Sequence, residues 1–375
     1  MAIDKVTSAA ITDGTITSSD LASGAVQNQS AFKNIFINGD MSQAQRSTST
    51  SSITSAGYHT VDRIISEMGT AGTWTQSQST DVPTGQGFAK SLKMDCTTAN
   101  GSLSAGSYLN LSQRIEGQNL QYLKFGTSSA ESLTASFWVK SNKTGTYICE
   151  IANFTTNKTA SKSYTISSAD TWEKKTLTFT GDTATTIAND NARSFNLNFW
   201  LLAGSTYSSG TLNTSFNTLN NANRAVGQVN LADSTSNEWY ITGVQLETGT
   251  SASDFEFLPV GVNLQRCQRY YFKTQDGVGT ANALLMTGGI ESSTSAGQGS
   301  LTLPTEMRTT PTLSFGSGVR FYSTSTSTVT PTIAGNRSTS SNLSAVVTIS
   351  GGTNGQAGYC YQGATSGNII GEAEL

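Results

Sequence analysis

Short runs in which apolar and polar residues alternate, each closed by Gly, Asn, Asp or Ser, constrain this chain more than any other feature. In "EKKTLTFTG" (173–181), Leu177 and Phe179 share one face, while Thr176, Thr178 and Thr180 share the other. That period of two is the mark of a half-buried strand, and one wet face predicts an antiparallel sheet. The same text recurs in "NIFING" (34–39), "AKSLKMDC" (89–96), "LTASFWVKS" (133–141), "TYICEIAN" (146–153), "SFNLNFWLLAG" (194–204) and "NEWYITGVQLE" (237–247). With only 5 prolines against 36 glycines, the chain reads as all-β with many short strands, and the spacing of the runs predicts a two-sheet sandwich of jelly-roll type. "TYSSGTLNTSFNTLNNANRAVG" (206–227) reads as a surface loop between strands.

Pro259 ends this first region, and a smaller C-terminal β-domain is expected over 261–375, with shorter runs such as "NALLMTGG", "TPTLSFG", "VRFYST", "AVVTISGG" and "AGYCYQGA". "NLQRCQRYYF" can begin as one helical turn, since Leu264, Cys267 and Tyr271 fall at i, i+3 and i+7. Residues 1–32 follow another rule. Val6, Ile11, Ile16, Leu21 and Val26 recur every fifth position, and Ala9, Gly14, Ser19 and Gly24 place a small residue two positions before most of them. A repeat of this kind buries its apolar column only against neighbours, and it is too short to supply them itself. Two readings stand: a loose Ser/Thr-rich terminus, or a stack completed by identical chains.

Charged residues are 13% of the chain and the net charge is −3. No Lys/Arg cluster interleaves with aromatics, so no nucleic-acid partner is expected. No apolar run approaches the roughly 20 residues of a membrane span, and the N-terminus lacks the apolar stretch of a secretory signal, so membrane insertion is not expected and synthesis in a cytosol is. Cys96, Cys149, Cys267 and Cys360 are scattered without a CxxC pair and read as small buried hydrophobes. His59 is the single histidine, a poor start for a metal site, and no cofactor is expected.

Catalysis finds little support. Asp170, Glu173 and Asp182 are the acids that could form a glycosidase pair, but they read as turn and edge residues. There is no GxSxG elbow, and "GVGTAN" (277–282) lacks the Lys-Ser/Thr of a phosphate loop. Among the tryptophans, Trp138, Trp172, Trp200 and Trp239 sit in apolar strand text and read as packing residues. Trp74, in the polar "GTWTQSQ", is the candidate sugar-stacking platform, with packing as its other reading.

Taken together, "ITDGTITSSDLASGAV", "INGDMSQAQR", "YHTVDRI", "SQRIEGQNLQYLKFGTSSAESLTASFWVKSN", "ADTWEKKTLTFTGDT", "WYITGVQLETGTSASDFEFLPV" and "CQRYYFK" followed by "LPTEMRTTPTL" resemble bacteriophage tail fibres and similar virion proteins, of the kind found in viruses of cyanobacteria, that carry a carbohydrate-binding-module-like jelly roll. The resemblance implies a non-enzymatic homotrimer located in the virion tail. Residues 1–32 would attach it to tail nozzle or adaptor proteins, 33–260 would form the jelly roll, and 261–375 would meet a host-surface glycan or protein. The alternatives are a polysaccharide-depolymerising tailspike and a carbohydrate-binding protein outside any virion. In the distal part, alternation sends Val319, Phe321 and Cys360 to one face and Arg320, Tyr322, Tyr359 and Tyr361 to the other, which makes these four the receptor-binding candidates, with ordinary edge or intersubunit packing as their other reading.

Overall fold

The computed structural model describes residues 32–274, 284–293, 295–323, 330–351, 353–364 and 367–375. The five-residue repeat, with Val6, Ile11, Ile16, Leu21 and Val26, lies outside the described residues. In the first region the strands are β1 (Ser49–Ile53), β2 (Gly57–Tyr58), β3 (Ile65–Gly69), β4 (Thr73–Ser79), β5 (Ser91–Thr98), β6 (Tyr108–Glu116), β7 (Leu133–Ser141), β8 (Gly145–Asn153), β9 (Lys158–Ile166), β10 (Glu173–Phe179), β11 (Arg193–Ala203), β12 (Asn217–Thr218) and β13 (Glu238–Thr248). They form a six-stranded sheet in the order β1-β4-β5-β13-β7-β10 and a seven-stranded sheet in the order β12-β9-β8-β11-β6-β3-β2. Every pairing within both sheets is antiparallel.

Aromatic residues on alternate positions join the two sheets. Phe137 of β7 meets Phe199 of β11 and Tyr164 of β9 edge to face, at ring-centroid distances of 5.0 and 5.1 Å. Trp239 of β13 packs on Phe199 from the same side. Each such ring removes apolar surface worth about 1.5–3 kcal/mol, and edge-to-face contact adds to it. A bulge in β13 between Thr242 and Gln245 bends the strand, and Gly243 takes φ +63° there. A Cβ on Gly243 would lie 2.6 Å from the Phe88 ring, so the bulge needs glycine for both backbone and space. All four cysteines are buried and free.

One expected strand is absent. Residues 34–39 bury Ile35, Phe36 and Ile37 but run as a turn, because Asn38 (φ 61°) and Met41 (φ 58°) leave the extended region. Side-chain amides replace the ladder: Gln113 accepts from Ile37 N and donates to Ile37 O at 2.7 Å each, and Asn34 Nδ2 donates to Val244 O.

The second region has its own core, built from Phe272, Met286, Leu303, Met307, Leu313, Phe321, Leu343 and Ile369 with their neighbours. Its strands are β14 (Tyr271–Lys273), β15 (Leu284–Ser293), β16 (Ala296–Thr302), β17 (Thr312–Phe315), β18 (Val319–Ser323), β19 (Thr332–Asn336), β20 (Asn342–Thr348), β21 (Ala357–Gln362) and β22 (Ile369–Glu372). They pair as β14-β22-β17 and β18-β21-β15-β16-β20-β19.

Between the regions, the expected single helical turn is a nine-residue helix, Val260–Gln268. Its buried side carries Asn263 and Cys267, while Leu264 is half-buried and Tyr271 already belongs to β14. Asn263 can be buried because its amide donates to Asp40 and Ser42 at 3.1 and 3.0 Å. Cys267 and Tyr270 pack on Ile37 of the sandwich.

Candidate functional site

On the seven-stranded sheet, residues that do not face the core form cross-strand rows. One row runs Ser161, Glu150, Asn198, Ser112, Ile65 across β9, β8, β11, β6 and β3. The next runs Thr159, Ala152, Asn196, Arg114, and a third places Trp200, Asn110 and Glu67 side by side. A bulge between Trp200 and Leu202 lets Leu201 and Leu202 both enter the core while Trp200 keeps to the outer face. The 206–227 segment folds down on that face. Ala225 and Leu212 with Tyr207 cover Trp200 and Ile148, so Trp200 is fully buried from outside the sandwich.

Beside this cover lies a cavity of about 320 Å³, lined by Tyr108, Asn110, Phe154, Trp200 and Tyr207 together with Glu67, Arg114, Arg193, Arg224 and Ala56. Tyr108 and Tyr207 pack against each other at 5.3 Å, and Tyr207 packs on Trp200 at 5.5 Å. Burial, with the neighbouring Tyr207, raises the Tyr108 phenol above its usual range, so it is a neutral donor and acceptor at neutral pH.

Two carboxylates hold arginines of the cavity wall: Glu67, which lines it, and Glu150, buried outside the lining. Glu150, wholly buried, takes Arg224 in a bidentate pair at 2.8 and 2.8 Å and also accepts from Asn198 Nδ2 and Trp200 Nε1. Burial works against the Arg224 charge, but Glu150 outweighs it and keeps the guanidinium pKa above its ordinary value. Glu67 accepts from Arg114 at 2.9 Å.

The polar floor is different. Asn110 Oδ1, Ser112 Oγ, Asn198 Oδ1 and both amide atoms of Asn196 are buried with no hydrogen-bond partner in the protein, on residues no more than 2% exposed. A buried polar group without a partner costs about 1–3 kcal/mol; of these residues Asn110 lines the cavity, while Ser112, Asn196 and Asn198 lie on the same sheet face outside its lining. Amide oxygens accept, amide nitrogens donate, and hydroxyls do both. An unpartnered amide oxygen on Asn110 among aromatic walls suits a polyhydroxylated ligand. The larger cavity, about 590 Å³ beside the 260–268 helix, lacks this property: Gln113 is bonded to Ile37, Arg266 to Asn34 O and Arg269 to Glu116.

Trp74 is not a platform. It is fully buried in β4, and its Nε1 donates to Ala71 O at 2.8 Å; its immediate neighbours Thr73 and Thr75 take the opposite strand face, and Gln76 is buried beside it. Trp239 is also in the core, whereas Trp138 and Trp172 are half-buried, with Trp172 donating to Asp81. In the second region Val319, Phe321 and Cys360 are buried, and Tyr322 and Tyr359 are 36% and 39% exposed. Tyr322, Tyr359 and Tyr361 form a cross-strand ladder with ring centroids 5.4 and 5.9 Å apart. Arg320 is half-buried and folds back on the carbonyls of Ser317 and Val319. Asp170, Glu173 and Asp182 serve local structure: Asp170 takes φ 55° in a turn, Glu173 accepts from Ser167 N and Ser168 N, and Asp182 pairs with Lys158. Among the described residues no group of three or more His, Cys, Asp or Glu could hold a metal ion, and no helix is long and apolar enough to cross a membrane.

The floor residues were not singled out by sequence, yet a signal existed. "SFNLNFW" and "YLNLSQ" put Asn at alternate positions opposite the core-facing Phe and Leu. Asparagine is depleted in strands, so two such strands mark a polar sheet face with a purpose.

No family model and no curated protein matches the chain. Solved structures similar to it include the enzymatically active domain of tailspike protein 4 of bacteriophage CBA120, at 16% identity over 58% of this chain and 22% of that one, with a TM-score of 0.30. The chain thus spans about a fifth of that tailspike domain. A second is the module TmCBM61 in complex with β-1,4-galactotriose, at 10% identity over 58% of this chain and 99% of that one, TM-score 0.29. A third is the family 11 carbohydrate-binding module of Clostridium thermocellum in complex with a β-1,3-1,4-mixed-linked tetrasaccharide, at 11% identity over 55% and 97%, TM-score 0.28.

Proposed function

We propose that this chain is a non-enzymatic glycan-binding protein and that the glycan lies in the cleft over β6 and β11. The observation that carries the reading is the aromatic-walled cavity itself, lined by Tyr108, Tyr207 and Phe154 together with Asn110, whose side-chain oxygen has no hydrogen-bond partner in the protein. Sugar hydroxyls are the ligand groups that match it, each able to donate and accept, while Tyr108, Tyr207 and Phe154 offer ring faces to the apolar side of a pyranose. The test is a glycan-array screen followed by titration calorimetry with wild type and Asn110→Ala. Binding lost in the variant, with its fold intact by circular dichroism, supports the cleft; undiminished binding removes it.

The wider setting rests on the resemblance of the quoted segments to tail-fibre proteins. In that reading the chain is a homotrimer in a virion tail, residues 1–32 dock on the tail, and 262–375 present the Tyr322, Tyr359 and Tyr361 ladder, with Arg320, to the host. The exposed Tyr322 and Tyr359, with half-buried Tyr361 beside them, support a second contact surface, since tyrosine is enriched where binding energy concentrates. Glu67, the carboxylate in the cleft's lining, is ion-paired to Arg114, which supports a binding role over hydrolysis. Host polysaccharide incubated with the protein is therefore expected to keep its chain length.

A further inference from the structure

We propose that the glycan of this cleft is acidic, and that Arg193 reads its carboxylate; the inference rests on the cleft being a glycan site. Three guanidiniums line the cavity, those of Arg114, Arg193 and Arg224. Two are engaged: Arg224 by Glu150 in a bidentate pair, and Arg114 by Glu67. Arg193 has no ion-pair partner among the described residues. Its cross-strand neighbour in register, Glu116, turns its carboxylate to Arg269 and Tyr270.

Arg193 is nonetheless held in place. Its guanidinium lies 3.5 Å from the centroid of the Phe154 ring, which also lines the cavity. Stacking fixes the plane of the fork and leaves its N–H edge free, and that edge matches the two oxygens of a carboxylate. Burial, and then the charge of Arg114, hold the Arg193 pKa below the ordinary arginine value, so the group carries its charge at a cost that an anion would relieve. With Glu67 and Glu150 assigned to their arginines, one cation of the lining is left unmatched, in the same cavity as the unpartnered amide oxygen of Asn110. A uronic-acid residue combines both complements, with the carboxylate toward Arg193 and the ring hydroxyls toward Asn110.

The test uses the full chain and a panel of uronic-acid oligosaccharides, their carboxyl-reduced counterparts, and sulfated oligosaccharides of similar length. Wild type is expected to bind at least one uronate at least tenfold more tightly than its reduced counterpart, with the preference fading as salt rises. Arg193→Gln should abolish that preference, with the fold intact by circular dichroism, and Arg193→Lys should restore part of it. Equal binding of acidic and reduced sugars, lost together in Asn110→Ala, overturns the acidic assignment and leaves the glycan cleft standing. Stronger binding of the sulfated sugars overturns the carboxylate in favour of another anion. Binding of no panel member counts against both readings.

Discussion

Asn198 shows how much one side chain on a sheet face can carry. Its Nδ2 donates to Glu150 and helps hold the carboxylate that pairs Arg224, while its Oδ1 has no partner in the protein. Asn198→Ala removes one donor to Glu150 and, since Asn198 does not line the cavity, should leave glycan affinity nearly unchanged, as calorimetry against the array-selected sugar measures. Stability should fall by only about 1 kcal/mol, since Glu150 keeps its arginine. Trp74 is the contrasting residue. Buried on all sides with its indole N–H bonded to Ala71, it serves the core, and Trp74→Ala should cost about 3–5 kcal/mol. Urea unfolding measures that loss, while glycan affinity of the fraction still folded should be unchanged.

At the scale of elements, the helix Val260–Gln268 and the strand end at Glu116 tie the two regions together. Glu116 is wholly buried and accepts from Arg269 at 2.8 and 2.7 Å and from Tyr270 Oη. Burial alone would raise its pKa, but these donors outweigh burial and depress it below the ordinary 4.5. A carboxyl with a depressed folded-state pKa stabilises fully above its unfolded value and loses that stabilisation as pH falls through the folded value. Glu116→Gln should therefore destabilise by about 2 kcal/mol at pH 7, less than a fully buried pair because Arg269 is partly exposed. Unfolding midpoints taken from pH 7 downward should converge for wild type and variant only once pH has fallen below the ordinary 4.5 and through the depressed folded value. A gap that stays constant with acidification would show that the carboxylate charge is not what matters there.

For the whole molecule, the five-residue repeat sets the expectation of a closed trimer of about 118 kDa, three times the 39.4 kDa chain. Native mass spectrometry reads it directly, and a 39.4 kDa species at micromolar concentration would refute it. Ile11→Asp with Ile16→Asp would place unpaired charge on the apolar column and should shift the trimer toward single chains.

What the sequence determined by itself was local. Strand period comes from side-chain alternation, so β7, β8, β10, β11 and β13 were legible to within a residue or two, as were the faces of "VRFYST" and "GYCYQG" and the burial of the four cysteines. Tertiary structure decided what depends on partners far along the chain. "NIFING" has strand composition, but Gln113, 76 residues away from Ile37, takes the hydrogen bonds a ladder would have made. Trp74 looks exposed in its polar text, yet the opposing sheet buries the one face it occupies. Arg193, Arg224 and Arg114 are alike in sequence, and only the fold assigns carboxylates to two of them. Alternation says which side of a strand a residue faces; what waits on that side is set by contacts across the sheets.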